Sequence, residues 1–266
     1  MSPSWHESIR LGLCPDRVVF AVYGRGLRPA VLEKGTVPVK PHGQEPWRAP
    51  LAALPDVLKE HAPRTTEATL VVSNHFVRYL LLDANPDLSG RREWREYAMH
   101  RFEKTYGAKA VSWDVEVAET RSPLPRIASA VDRALIEGVI AAFNGSRARL
   151  VSIEPYLATA FNRVPAAMTG SSFWFVLQEP GRVLLALIRE GVWQCVRGRR
   201  AGARWHEDLA RMVERERALL RRTELCREIL VSAIGAEQPA AMDALNLTLL
   251  PSGLAAGERA FAMVCG

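Results

Sequence analysis

Apolar and polar positions along this chain fall into short blocks, and the blocks recur in a fixed order. Residues 9–13 and 18–23 are two β-type runs joined by Cys14-Pro15-Asp16, where proline presets the turn and aspartate suits it. Residues 30–37 predict a third strand after Gly24-Arg25-Gly26. A proline-rich connector, 37–50, follows. Residues 51–61 then predict a short helix with Leu51, Leu54 and Leu58 on one face, and Pro55 offers an alternative start.

The stretch 69–117 is the most distinctive. Two β-type runs, 70–73 and 76–82, flank the polar pair Asn74-His75, and an Asn-Pro-Asp loop comes next. Trp94, Ala98, Phe102 and Thr105, with Tyr97 beside them, then recur at helical spacing. Ser89 is placed to cap that helix and Gly107 to stop it. Val111, Trp113, Val115 and Val117 alternate with Ser112, Asp114, Glu116 and Ala118, which predicts a half-buried strand. The segment reads as a strand-rich insertion rather than an enzyme motif.

Residues 126–131 predict a strand, and Asp132 caps a helix carrying Leu135, Ile136, Val139, Ile140 and Phe143. Asn144-Gly145 ends it. A strand at 148–153 leads through Glu154-Pro155 into a short helix reaching Asn162. The small-residue stretch 164–172 is the best domain boundary. Beyond it, 173–178, 182–189 and 192–197 predict a second meander, turning at Glu179-Pro180-Gly181 and Glu190-Gly191. Trp205, Leu209, Met212, Val213 and Leu219-Leu220 mark a helix of about five turns. Strands at 227–233 and 245–250 follow. Each half opens with a three-strand meander and continues into helix and strand, a repeat of pattern without a repeat of residues.

At 266 residues the chain can bury a core without disulfides or a structural metal. Its net charge of +6 comes mostly from arginine; Lys34, Lys40, Lys59, Lys104 and Lys109 are the only lysines. The basic residues are interleaved with acids, so no stripe predicts a nucleic-acid face. The densest stretch, 197–222, reads as a solvated turn and charged helix face, with an anionic-membrane contact as the alternative. Cys14, Cys195, Cys226 and Cys265 are widely spaced, with no CxxC pair and no histidine at metal-ligand spacing, which predicts reduced thiols in a cytoplasmic protein. No signal-like start is present. The longest apolar run, 183–188, stops at Arg189-Glu190, far below the ~20 residues a membrane span needs.

Several blocks resemble the MshI and PilM group of pilus-assembly proteins, related to the secretion protein GspL. They are Ser73-Asn74-His75-Phe76-Val77-Arg78-Tyr79, Arg101-Phe102 with Tyr106-Gly107, Ala130-Val131-Asp132, and Ser152-Ile153-Glu154-Pro155-Tyr156. In the second half, Gly181-Arg182 and Gly191-Val192-Trp193 are similar too. The resemblance implies an α/β chain of tandem actin-like (ribonuclease H-like) domains: 1–163, with an inserted subdomain at about 64–120, and 164–266, a shortened second domain. It implies a cytoplasmic scaffold, peripheral at the inner membrane through its partners. Such a protein holds the cytoplasmic tail of a membrane-anchored pilus or secretion protein beside the insertion, and GspL also presents this domain to the assembly ATPase. Nucleic acid is not an expected partner.

Actin-like ATPases place an aspartate at the end of the first strand of each half, where it holds metal and waters near the phosphates. Here Pro15 follows the first strand and removes an N–H, leaving Asp16 as a displaced candidate. Glu179 is followed by Pro180 and reads as a turn residue, the weak candidate of the second half. Gly235 alone replaces the paired glycines of an adenosine loop, and no Walker-type loop exists. His75 and His100 lack matched carboxylates, Ser73 is not bracketed by glycine, Glu207-Asp208 suits a helix first turn, and Glu214 and Glu216 cannot share a helix face. The expectation is no catalytic residue, no metal, and no cofactor, with ATP and magnesium disfavoured. The alternative is an actin-like nucleotide-binding protein or kinase with degenerate phosphate loops. For partner binding, Arg78, Arg95 and Arg101 with Tyr97 are the candidates, because guanidinium forks read carboxylates and carbonyls. An edge strand at 76–82 is a second route, by accepting an extended peptide.

Overall fold

The structure is a computed structural model that describes residues 7–26, 29–41, 43–62, 66–120, 123–168, 170–202, 204–220, 226–234, 246–250 and 256–265. Strands β1 (Ser8–Cys14), β2 (Arg17–Tyr23) and β3 (Val31–Pro38) form the first antiparallel meander. Helix α1 (Arg48–His61) starts before the expected helix and runs through both of its prolines. Pro50 falls in the first turn, where a backbone N–H has no intrahelical acceptor in any case. Pro55 lies inside, at a cost of about 3 kcal/mol. Leu54, Val57 and Leu58 are buried beneath it in the first core. At about 1.5–3 kcal/mol each, their burial outweighs the loss.

Strand β4 (Thr66–Val72) returns parallel to β1. β5 (Val77–Leu82) leaves for a separate sheet. The chain continues through α2 (Arg91–Tyr106), a 3₁₀ turn (Gly107–Ser112), β6 (Trp113–Val117) and β7 (Arg126–Asp132). β7 pairs antiparallel with β5 and β6, giving the order β5-β7-β6. Helix α3 (Arg133–Asn144) leads to β8 (Ala148–Pro155), parallel to β4, and the short α4 (Tyr156–Phe161) follows. The two β-type runs around Asn74-His75 therefore belong to different sheets. The small sheet with its helix occupies 77–132 rather than 64–120. β4 is central to the main sheet, and its consecutive Leu70, Val71 and Val72 are all buried, as in strands covered on both faces.

The second half has β9 (Phe173–Glu179), β10 (Arg182–Arg189), β11 (Val192–Arg200), α5 (Trp205–Leu219), β12 (Glu228–Ala233) and β13 (Asn246–Leu249). Helix α5 has 15 residues, about four turns rather than five. The sheet orders are β3-β2-β1-β4-β8 and β11-β10-β9-β12-β13. Counted within each half, both read third, second, first, fourth, fifth. The repeat of pattern is thus a repeat of topology.

Local signals explain the boundaries of the insertion. Asp132 accepts from the Ala134 N–H at 3.0 Å and starts α3. At α2 the cap falls on Gly90 rather than Ser89, and the Glu93 carboxylate accepts from the N–H groups of both residues, at 2.8 Å and 3.3 Å. Gly107 ends α2 at φ 72°, ψ −159°. Val111 lies in the 3₁₀ turn, not in β6, and is 60% exposed. Trp94, Ala98 and Phe102 pack on Leu82, Val115, Ala128 and Ala130, so one face of the small sheet is covered by α2. A further core joins the halves: Val71, Tyr156, Leu157 and Ala160 meet Phe173, Phe175, Leu177 and Leu184. Residues 262–265, after a 3₁₀ turn at Ala256–Phe261, share it, and Tyr23 Oη donates to Val264 O at 2.6 Å.

Candidate functional site

Between the halves, two turns at the carboxyl ends of central strands are locked together. Glu179 closes β9 and is 3% exposed, so it is not a solvated turn residue. Ser73 Oγ donates to Glu179 Oε2, and the Asn74 N–H donates to Glu179 Oε1 at 3.0 Å. Tyr79 Oη donates to Asn74 Oδ1 at 2.6 Å, and His75 Nε2–H donates to Pro180 O at 2.9 Å. Burial pushes the Glu179 carboxyl above the usual carboxylate range, against the lowering effect of these hydrogen bonds. Burial likewise lowers the His75 imidazole and raises the Cys14 thiol to about 12. The carboxylate that stands where an actin-like phosphate turn would need one is spent on the neighbouring turn. Asp16, the other weak candidate, is exposed and pairs at 3.0 Å with its neighbour Arg17. Among the described residues, no group of three His, Cys, Asp or Glu is arranged to hold a metal ion.

Behind that junction lies a groove of about 310 Å³ between the small sheet and the first half. Val72, Ile153 and Pro155, from the carboxyl ends of β4 and β8, line it together with Ile136 of α3 and with Ser129 and Val131 of β7. Asp114 and Glu116, two residues apart on β6, complete the lining. β6 alternates, so Val115 faces α2 while these acids take the other face. Arg95 pairs with Asp114, and Arg91 pairs with Glu116 at 2.9 Å. The result is an apolar floor with two carboxylates along one wall. A larger hollow, about 700 Å³, opens between the last turns of α1 and α3. It lacks this combination: helix ends with Lys59, Asn144 and Arg147 line it.

The predicted partner-binding residues divide. Arg95 reaches the groove's wall through Asp114. Tyr97 and Arg101 face each other on α2: Arg101 Nη1 donates to Tyr97 Oη at 2.9 Å, the guanidinium lies 5.7 Å from the ring centroid, and Asp83 is 3.8 Å away. Arg78 donates to the carbonyls of His75 and Val77, at 3.3 Å and 3.2 Å, away from the groove. β5 is an edge strand by hydrogen bonding, but β11 packs against it, so it is covered rather than open to a peptide. The basic stretch after β10 is largely self-neutralised. Arg197 and Arg199 meet Glu216, Arg204 meets Glu207, Arg211 meets Asp208 and Arg217 meets Glu214. The clamp on Glu179 and the groove's aliphatic floor escaped the sequence reading. The available signal was a carboxylate ending an otherwise apolar strand, a placement that requires a partner.

Tandem sheets of this order, joined by a shared core and carrying an insertion after the fourth strand, make up an actin-like α/β fold. Solved structures agree. The cytoplasmic domain of EpsL, an inner membrane component of the type II secretion system of Vibrio cholerae, matches with TM-score 0.63 and 11% identity over 97% of this chain and 94% of that one. A PilM-PilN type IV pilus biogenesis complex gives TM-score 0.67 and 13% identity over 96% of each chain. A Bacteroides thetaiotaomicron protein with an actin-like ATPase fold and unknown function gives 0.61 and 11% over 98% and 96%. At these identities the likeness is one of fold. No family model and no curated protein matches the sequence.

Proposed function

We propose that this protein is a non-catalytic scaffold of a type IV pilus or type II secretion-like assembly platform, and that its groove holds the cytoplasmic segment of a membrane partner. The observation that carries this reading is the groove itself, an aliphatic floor walled by Asp114 and Glu116. Apolar side chains on a short segment would fill the floor, and a basic residue on it would compete with Arg91 and Arg95 for the acids. The fold shared with EpsL and with the PilM-PilN complex supports the choice of machine. No described helix is long and apolar enough to cross a membrane. On this reading the protein sits on the cytoplasmic side and meets the inner membrane through its partner. The assembly ATPase is the second partner this reading expects. Glu179, already bonded to Ser73 and Asn74, argues against a phosphate site in the cleft.

Synthetic peptides of the cytoplasmic segments of membrane proteins encoded beside this one test the proposal by calorimetry. One of them is expected to bind in the micromolar range, about −8 kcal/mol. Ile136→Asp and Glu116→Lys should each weaken it by about tenfold or more, a loss of roughly 1.4 kcal/mol. Absence of binding by every peptide, or binding indifferent to both substitutions, rejects it. Micromolar binding of ATP with magnesium would instead support the nucleotide-binding alternative.

A further inference from the structure

Past β13, at the far edge of the second sheet, the chain returns to the first half. Residues 256–265 add no strand to either sheet; they form the 3₁₀ turn Ala256–Phe261 and the few residues after it. Their N–H groups pair within the segment. Ala262 donates to Arg259 O and Val264 to Phe261 O, both at 2.9 Å, and Cys265 donates to Phe261 O at 2.7 Å. Side chains of the first half hold the segment down. Tyr23 Oη donates to Val264 O at 2.6 Å, and Arg163 Nη1 donates to Ala262 O. Lys34 of β3 pairs with Glu258 and stands 5.4 Å from the Phe261 ring centroid. A segment tied by side chains, outside the sheet ladders, opens ahead of the sheets it covers.

The first sheet carries a seat for this segment. Gly12 lies inside β1, the central strand, where glycine weakens a strand and often marks a close approach. Met263 makes that approach: a Cβ on Gly12 would fall 2.6 Å from Met263 Sδ and 3.4 Å from Val264 Cγ1. Met263 is fully buried, and the Cys14 thiol lies 3.9 Å from its sulfur. The same strand end reaches the junction between the halves. Leu13 O accepts from the Ser73 N–H at 3.0 Å, and Ser73 Oγ holds Glu179. A continuous line of contacts therefore runs from Met263 through the end of β1 to the clamp on Glu179.

We infer that residues 256–265 are a releasable latch between the halves. Seated, the latch holds the far edge of the second sheet to the first sheet and keeps the Ser73–Glu179 junction closed. Released, it uncovers Gly12 and Cys14 and lets the junction loosen while both sheets stay folded. Methionine suits such a plug, because an unbranched thioether enters and leaves a narrow seat without rearranging its walls. The inference does not depend on what the groove binds.

Thiol labelling of the full chain under native conditions, resolved cysteine by cysteine with mass spectrometry, tests it. Cys265 lies in the latch, Cys14 beneath it, and Cys195 in the separate core of the second sheet; all three are buried. Cys14 and Cys265 should be labelled together, about tenfold or more faster than Cys195. Tyr23→Phe removes the bond to Val264 O and keeps the ring; it should speed both sites and leave Cys195 unchanged. Gly12→Ala, which crowds Met263 from the strand side, should act in the same way. Adding Met263→Ala to Gly12→Ala should cost less stability than the two changes summed, since the new methyl group enters space the thioether has left. Hydrogen exchange at the Asn74 N–H, which bonds Glu179, should quicken in step with Cys14 labelling in Tyr23→Phe. Labelling of Cys265 alone would be fraying of the segment, and one common rate for all three cysteines would be global unfolding. An Asn74 amide that does not respond would make the segment a cover rather than a latch. Each of these three outcomes overturns the inference.

Discussion

The backbone N–H of Asn74 donates to Glu179 Oε1 at 3.0 Å across 105 positions of sequence. With the Ser73 hydroxyl on the other oxygen, this bond makes the closed junction between the halves a titrating one. Burial holds the Glu179 carboxyl above its ordinary range, so the folded chain retains a proton at a pH where the unfolded chain has released it. The stability this group contributes is fully present below the ordinary glutamate value and is lost as pH rises through the raised one. Glu179→Gln keeps an acceptor for Asn74 and removes the titration. Thermal unfolding across that window should show the wild type losing stability relative to the variant as pH rises; parallel curves would contradict the assignment. Glu179→Ala leaves the Asn74 N–H buried without its acceptor and should destabilise by about 1–3 kcal/mol.

Glu216 is 1% exposed and meets Arg199 and, at 3.5 Å, Arg197. Arg199 is the more buried of the two arginines and hydrogen-bonds the carboxylate directly. Arg199→Ala, which weakens compensation of a buried charge, should cost about 3 kcal/mol in urea unfolding. Arg197→Ala, with its more solvated partner geometry, should cost under about 1 kcal/mol. Equal losses would show that the two arginines share the charge evenly.

Phe102 is fully buried between α2 and the small sheet. Phe102→Ala should remove about 3–5 kcal/mol of packing. Because this core is separate from those of the two large sheets, hydrogen exchange should accelerate in 77–132 while amides of β1, β9 and β10 keep their protection. Uniform acceleration would mean that the insertion and the halves unfold as one unit.

Gly107 sits at φ 72°, ψ −159°, a region almost reserved for glycine. Gly107→Ala should destabilise by about 1–3 kcal/mol. It should also disturb the contact of Tyr106 with Trp113, whose centroids are 5.2 Å apart, visible as a change in tryptophan fluorescence or near-ultraviolet dichroism. An unchanged signal and an unchanged melting temperature would refute the strain.

The meanders were legible because period-two runs end in turn residues with a physical reason to be there. Gly181 and Gly191 adopt positive φ, as does Glu190 before the latter. Asp132 was legible as a cap for the same kind of local reason. What stayed hidden depends on partners distant in sequence. Asn74-His75 looks like a link between two strands of one sheet, and only pairing shows that β4 joins β1 while β5 joins β7. Glu179 looks like a turn residue because a charge at a strand end is normally solvated; its burial is decided by Ser73 and Asn74. The polar face of β6 could be read from alternation. That this face looks onto Val131 and Ile136 could not, since the approach of α3 to the small sheet is a matter of tertiary packing. Helix α1 begins at Arg48 rather than Leu51 and continues through Pro55, because the packing of Leu54, Val57 and Leu58 into the first core, a tertiary effect, offsets the proline penalty.

Val72 lines the groove, and the next two residues, Ser73 and Asn74, hold Glu179. The groove's wall on this side is therefore anchored within one residue of its edge. Any main-chain displacement there that exceeds the tolerance of a hydrogen bond must break the junction between the halves. A segment entering the groove would meet a surface already immobilised, and the entropy of ordering would fall on the segment alone.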